Sequence, residues 1–258
     1  MKILVLIKAV PYTSGGYESA ERQTTKLIPN PADMTALEEA LSLRDQVGGT
    51  VTVATMGVPV CDSILRQAIA CGADEAVLLT DSAFAGSDTA ATSRIIAKTV
   101  ELLGDFDLIF CGRRSTDGET GQVGPELAAR LNRGCCVSCT KLEMSGDEVH
   151  CTCLTDLGTA EYALTLPAVI TFCNGINSPR LQSLSGLFKA KRAQIRTLNH
   201  QDLSLTPAQC GQKGSPTIVK KSYKRPFEKR RPVRFGANQI GEAVAILQQK
   251  LSEEVRHG

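Results

Sequence analysis

Cys111-Gly-Arg-Arg-Ser-Thr-Asp-Gly-Glu-Thr-Gly-Gln-Val-Gly-Pro125 is the stretch on which the reading of this 258-residue chain turns. Before it runs Asp107-Leu-Ile-Phe-Cys111, a short apolar run of the kind that forms a buried parallel strand. After it runs Glu126-Leu-Ala-Ala-Arg-Leu131, which reads as helix. The stretch is therefore a strand-to-helix turn, with glycines at 112, 118, 121 and 124 and hydroxyls at Ser115, Thr116 and Thr120. Glycines let a backbone pass close to a ligand and adopt positive φ. The free N–H groups and partial positive charge of the following helix start suit a phosphate. Pro125 fits the first helical turn, where a missing N–H costs little. The pattern is neither G-x-G-x-x-G nor a P-loop. A plain structural turn and a phosphate site both remain open on residue type alone.

Working back from this turn, Ile3-Leu-Val-Leu-Ile7, Thr50–Thr55 and Glu75–Leu79 are further apolar runs that predict strands. Helices are expected between them. The first is opened by Asn30 as N-cap, with Pro31 at the first helical position and Asp33 complementing the dipole. The second spans about Val60 to Cys71 and is stopped by Gly72. A third begins at Ser87-Asp-Thr. Strand–helix alternation predicts an α/β fold, a parallel sheet flanked by helices. Ligands on such sheets sit outside the carboxyl ends of the strands. The longest and most Gly/Ser-rich loops there are 8–30 and 112–124, which places the expected site between them.

After Leu131 the pattern changes to strands at 137–141, 148–154, 160–166 and 168–173, with a hairpin turn at Ser145-Gly-Asp147. A short helix with a basic end follows over Leu184–Arg192. Residues 197–235 lack periodicity and carry a run of Lys and Arg. A last amphipathic helix is expected from about Asn238 to Val255, with Ile240, Val244, Leu247 and Leu251 as its apolar stripe. This predicts two regions: a nucleotide-binding α/β domain over 1–195, and a C-terminal arm and helix over 196–258 that clasps another subunit.

Composition narrows the function classes. Aromatics are 4% with no Trp, and the net charge is +2, so neither a base-stacking surface for nucleic acid nor an anionic membrane is expected as partner. No apolar run approaches the ~20 residues that cross a bilayer, so no membrane insertion is expected. Met1–Lys8 lacks the core and cleavage site of a signal peptide, and the chain reads as cytoplasmic. Its ten cysteines are then expected as buried or free thiols. Cys136-Val-Ser-Cys139 and Cys151-Thr-Cys153 are candidate metal ligands, and the second pair points both thiols to one strand face. The spacing misses the usual ribbon of two CxxC pairs, and Cys135 disturbs the first, so no metal is expected. Ser14-Gly-Gly-Tyr-Glu-Ser19 resembles the SGGxDS loop of ATP pyrophosphatases, with Glu18 in place of Asp. A plain loop is the reading preferred here.

Taken together, the chain resembles the β subunit of electron-transfer flavoproteins. Lys8-Ala-Val-Pro11 matches the family's K-x-V-P. Asn30-Pro31-Ala-Asp33 with Ala36-Leu-Glu-Glu-Ala40 matches N-P-x-D…A-L-E-E-A, and Ala70-Cys-Gly-Ala-Asp74 matches A-x-G-A-D. The 111–125 stretch matches the most specific segment, and Leu166–Thr171 and Lys189-Ala-Lys191 match later signatures. The resemblance implies a Rossmann-like fold of the adenine-nucleotide α-hydrolase type and a heterodimer with an FAD-bearing α subunit. It implies an electron carrier, not an enzyme on its own, that passes electrons between NADH or a dehydrogenase and a further acceptor. The β subunit is expected to hold AMP or, in the electron-bifurcating branch, a second FAD reduced by NADH. The compact loop is closer to the flavin-binding branch, which more often has Ala where Gly121 stands.

Carried over by position, the nucleotide is expected near Leu6, Ala9, Asn30, Pro31, Ala32, Asp33 and Met56, and along Ser115, Thr116, Asp117, Gly118, Glu119, Thr120, Gly121, Gln122, Val123 and Gly124. Thr120 to Val123 would supply donors to a diphosphate, and Asp33 would serve a ribose or its own helix. Leu184 matches the hydrophobic anchor that docks on a partner dehydrogenase, with core packing as the alternative. No catalytic side chain is expected. The rival readings are an ATP pyrophosphatase and an ATP-binding regulator of related fold.

Overall fold

The computed structural model describes residues 1–12, 26–221 and 233–255. The Ser14–Ser19 motif lies outside the described residues. The chain forms two compact units, Met1–Ile218 and Val219–Gly258.

The first unit is α/β. Its strands are β1 (Lys2–Leu6), β2 (Ala9–Pro11), β3 (Leu27–Pro29), β4 (Thr50–Met56), β5 (Glu75–Leu79), β6 (Leu108–Gly112), β7 (Gly134–Ser145), β8 (Glu148–Thr155), β9 (Gly158–Thr165), β10 (Ala168–Phe172) and β11 (Arg196–Leu198). Its helices are α1 (Pro31–Val47), α2 (Asp62–Cys71), α3 (Thr89–Leu103), α4 (Val123–Leu131), α5 (Leu184–Arg192) and the single turn α6 (Gly211–Gly214). Nine strands make one sheet in the order β11-β5-β4-β1-β6-β10-β7-β8-β9. Neighbours are parallel from β11 to β7, and β7, β8 and β9 are antiparallel.

Side-chain alternation along β1 shows why the sheet is covered on both faces. Ile3 and Val5 enter a core with Leu37 and Leu41 of α1 and Ile64, Leu65 and Ile69 of α2. Leu4 and Leu6 enter the opposite core with Ile95, Ile96 and Val100 of α3 and Leu127 of α4. The chain runs outward from β1 through β4 to β5, then returns to lay β6 on the other side of β1. The strand order therefore reverses between β1 and β6, the position at which open α/β sheets bind ligands.

Two expectations need correction. The loop expected over 8–30 contains a two-stranded ribbon, in which Ala9, Val10 and Pro11 pair with Pro29, Ile28 and Leu27. The segment after 195 does not leave the first unit at that point. Arg196, Thr197 and Leu198 pair in parallel with Val77, Leu78 and Leu79, and Leu203, Leu205 and Cys210 are buried against the α3 face. A Ser215 hydroxyl accepts from the Asp88 N–H at 2.8 Å, and Arg94 donates to the Gln209 carbonyl at 2.8 Å. Residues 199–217 are thus held by buried side chains and by hydrogen bonds to α3 and the turn before it, which periodicity cannot register. The compact units divide at 218/219, not at 195/196.

The second unit contains α7 (Ile240–Val255). Ile240, Val244, Leu247 and Leu251 line one face of it and are exposed. Among the described residues no helix is long and apolar enough to cross a membrane.

Candidate functional site

The carboxyl ends of three adjacent strands, β4, β1 and β6, bring the expected residues together. Leu6 ends β1, Met56 ends β4 and Gly112 ends β6. The first turn of α1 supplies Pro31, Ala32 and Asp33, and the 112–124 turn runs from β6 into α4.

Asn30 occupies the N-cap position of α1, but its side chain caps nothing. It is buried and reaches across to the turn: Nδ2 donates to the Arg114 carbonyl at 3.1 Å, and Oδ1 accepts from the Thr116 N–H at 3.2 Å. Asp33 is likewise a brace. One carboxylate oxygen accepts from the Lys8 N–H at 2.8 Å and the other from the Gly112 N–H at 2.7 Å. The carboxylate thus joins the end of β1 to the end of β6 at the point of strand reversal. Both of its oxygens are engaged by backbone donors, so neither the ribose contact nor the dipole role is needed to explain it. Lys8 completes the frame, with its ammonium 2.6 Å from an Asp117 oxygen and 3.2 Å from the Ser115 hydroxyl.

Burial pushes the Asp33 carboxyl up to about 6, against the lowering effect of the two N–H donors and Asn30. Its folded value lies above that of an unfolded aspartate. The folded state then binds more protons between about pH 4 and 6, and stability falls as pH rises through that window. We expect the Asp33 carboxyl carbon to titrate with a midpoint near pH 6 in a ¹³C NMR series; a midpoint near 4 would contradict the desolvated brace.

The frame fixes the start of the turn. Ser115 accepts from the Glu119 N–H at 3.0 Å, and Glu119 and Gly121 take left-handed φ of 51° and 64°. Among the described residues no acceptor meets the N–H groups of Thr120, Gly121 and Gln122. These three lie directly before α4, where the helix dipole adds positive potential. The Gln122 side chain is turned the other way, accepting from the Thr89 hydroxyl at 3.2 Å, while Glu126 accepts from Thr89 and Ser93. Gly124 is buried where α4 crosses the sheet. A Cβ there would lie 2.4 Å from the Thr171 methyl. The missing side chain lets α4 pack closely on β10.

Ala9 sits on the ribbon strand β2 beside Lys8. Asn30, Asp33, Lys8, Ser115, Thr116 and Asp117 thus form one bonded group around the reversal point. Thr120 to Gln122 offer open donors beside it. Lys8 was missed as a site residue. Its signal was available, as a cation closing a strand that faces a glycine-rich turn.

Leu184 lies far along the chain at the first position of α5, and its side chain is 73% exposed, which excludes core packing. Leu181 and Phe188 are exposed beside it in sequence. Arg180 anchors this segment to α1 through Glu38 at 3.0 Å and Asp45 at 2.9 Å. Gly186 allows α5 to touch α2: a Cβ there would lie 2.1 Å from the Ala70 carbonyl oxygen. Among the described residues no group of three or more His, Cys, Asp or Glu side chains is placed to hold a metal ion.

Residues 19–203 match the electron transfer flavoprotein domain. The chain is 39% identical to the electron transfer flavoprotein subunit beta of Thermoanaerobacterium thermosaccharolyticum, with 98% of each chain covered. It is 38% identical to the corresponding subunit of Clostridium acetobutylicum, over 98% of this chain and 99% of the relative. It is also 35% identical to the caffeyl-CoA reductase-Etf complex subunit CarD of Acetobacterium woodii, over 98% and 99%. A phosphate-suited turn braced at the reversal point of a parallel sheet thus coincides with a match spanning nearly the whole chain, and the protein belongs to the electron transfer flavoprotein family as a β subunit.

Proposed function

We propose that the cleft between β1 and β6 holds the adenylate and diphosphate part of FAD, and that the protein passes electrons as one half of a heterodimer with an FAD-bearing α subunit. The observation that carries this is the set of three open N–H groups at Thr120, Gly121 and Gln122, next to a frame whose carboxylate is already satisfied. Donors without acceptors suit a diphosphate, and a bare carboxylate there would oppose it. Leu6, Ala9, Ala32 and Met56 supply apolar or backbone contact for the adenosine. When bound, the flavin supplies the redox chemistry. The chain's own work is to orient it, to offer N–H donors to its phosphates and to keep Asp33 from facing them. The compact form of the 112–124 turn supports FAD over AMP, and NADH is then the transient donor.

Leu184, with Leu181 and Phe188, is the docking point for a partner dehydrogenase in this reading. The name of the Acetobacterium relative places it in a complex with a CoA-linked reductase, which supports a partner of that class. The second unit is the arm that embraces the α subunit. Because residues 196–218 are part of the first unit, the informative truncation removes 219–258. We expect it to abolish co-purification of α while leaving the thermal unfolding of the first unit within a few degrees. Retention of α would contradict the arm's role.

Counting nucleotides in the purified heterodimer tests the cofactor. Two flavins per heterodimer are expected. One flavin with one AMP would reassign the β site to AMP, and one flavin with no second nucleotide would overturn the proposal.

A further inference from the structure

The cysteines of β7 and β8 converge in a way their spacing conceals. Two residues three apart on a regular strand face opposite sides. Here Ile170 and Phe172 of β10 pair with Cys136 and Cys139 of β7, so that between these pairs one residue of β10 faces two of β7. Ser138 takes the extra place with a left-handed φ of 62°, and its N–H donates to the Thr171 hydroxyl at 3.1 Å. This bulge returns Cys139 to the face that Cys136 occupies. On β8, Cys151 and Cys153 are two apart and share one face, and the register sets Cys153 opposite Cys139, at the edge of a second bulge where Thr140 is the extra residue before Lys141 pairs with Thr152. All four lie in the same core, between 0 and 2% exposed. The Cys139 thiol donates to the Lys141 carbonyl at 3.1 Å.

We propose that Cys139 and Cys153 form an oxidisable pair that closes to a cross-strand disulfide by exchange with a low-molecular-weight disulfide. Directly opposed residues on antiparallel strands have Cα atoms about 4.5–5.5 Å apart, within the range a disulfide spans. The S–H groups around Cys139 stabilise its thiolate, and its value is drawn down by Cys151 first. The Cys139 thiolate attacks one sulfur of the small disulfide, whose S–S bond breaks and releases a thiolate. Cys153 loses its proton to that leaving group and attacks the Cys139 sulfur of the mixed disulfide, expelling the second small thiol. Two electrons and two protons pass from the cysteine pair to the small disulfide, which leaves as two thiols. Burial sets the rate: exchange requires opening of β8 from β7, so the reaction is slow on the native protein.

The test uses the full chain in complex with its α subunit, incubated with oxidised glutathione, then alkylated and mapped by mass spectrometry. Expected is a β subunit lighter by about 2 Da before alkylation, with the link between the peptides holding Cys139 and Cys153. Cys153→Ser is expected to abolish it and Cys111→Ser to leave it intact. Partial denaturant should accelerate closure several-fold in the wild type. Persistence of Cys139 and Cys153 as free thiols under both conditions would overturn the proposal. So would a link between other cysteines only, or a stoichiometric metal ion protecting the four thiols.

Discussion

Gly121→Asp is expected to yield a folded β subunit that purifies with less than about a tenth of the wild-type nucleotide, a loss of at least ~1.4 kcal/mol in binding. Gly121 stands at φ 64°, and a Cβ there would lie 3.3 Å from the Arg113 carbonyl oxygen. The left-handed conformation costs a non-glycine residue about 1 kcal/mol, and aspartate is among the residues that tolerate it. The larger effect is electrostatic. The new carboxylate would stand among the open N–H groups of Thr120 to Gln122, accepting the bonds a diphosphate would take and repelling its charge. Gly121→Ala separates the two effects, since it adds the strain without the charge and should keep most of the nucleotide. Nucleotide content is read by extraction and chromatography of the purified heterodimer. Wild-type content in the aspartate variant would remove the 120–122 turn from the site.

Gly112→Val should damage both fold and site. A Cβ at Gly112 would lie 2.6 Å from the Ala32 Cβ and from an Asp33 oxygen, and 2.8 Å from the Ala32 carbonyl carbon. These neighbours belong to the first turn of α1 and cannot swing aside as a surface side chain would. The helix start must move, and the Gly112 N–H then leaves the Asp33 carboxylate. Overpacking of this kind costs about 1–3 kcal/mol, and a buried carboxylate deprived of a donor adds a comparable amount. We expect a fall of about 3 kcal/mol in urea-unfolding stability together with loss of nucleotide. Gly118→Val is the control, because its Cβ would meet only ordinary contacts, with Ser115 at 3.5 Å and Lys8 at 3.6 Å. Its stability should stay within about 0.5 kcal/mol of wild type. Equal stability of the two variants would show that the contact between β6 and α1 is not a constraint.

The central strands β1, β4, β5, β6 and β10 are readable in the sequence because they are largely apolar runs buried on both faces. Such runs keep their character whatever their neighbours are. The helices α1, α2 and α3 were readable because their apolar spacing and their breakers are local. Strand β11 was not, because Arg196-Thr-Leu198 is three residues long and is a strand only through its pairing with β5. The ribbon of β2 and β3 was missed for the same reason.

Residue types around the 111–125 turn made it a strand-to-helix turn that suits an anion, and local pattern alone established the alternation that places such turns at the carboxyl ends of parallel strands. Tertiary structure decided what the conspicuous polar residues do. Asn30 and Asp33 carry the markings of a helix start, yet they bind backbone groups that come from 79 to 86 positions away for β6 and its turn, and 25 positions away for Lys8. The bulge at Ser138 likewise turned a spacing that reads as two faces into one. Hydrogen-bond partners of buried polar groups are chosen by whatever the fold brings near them. Sequence spacing constrains only the partners within a few residues, which is why the turn could be recognised from its own residues and its supports could not.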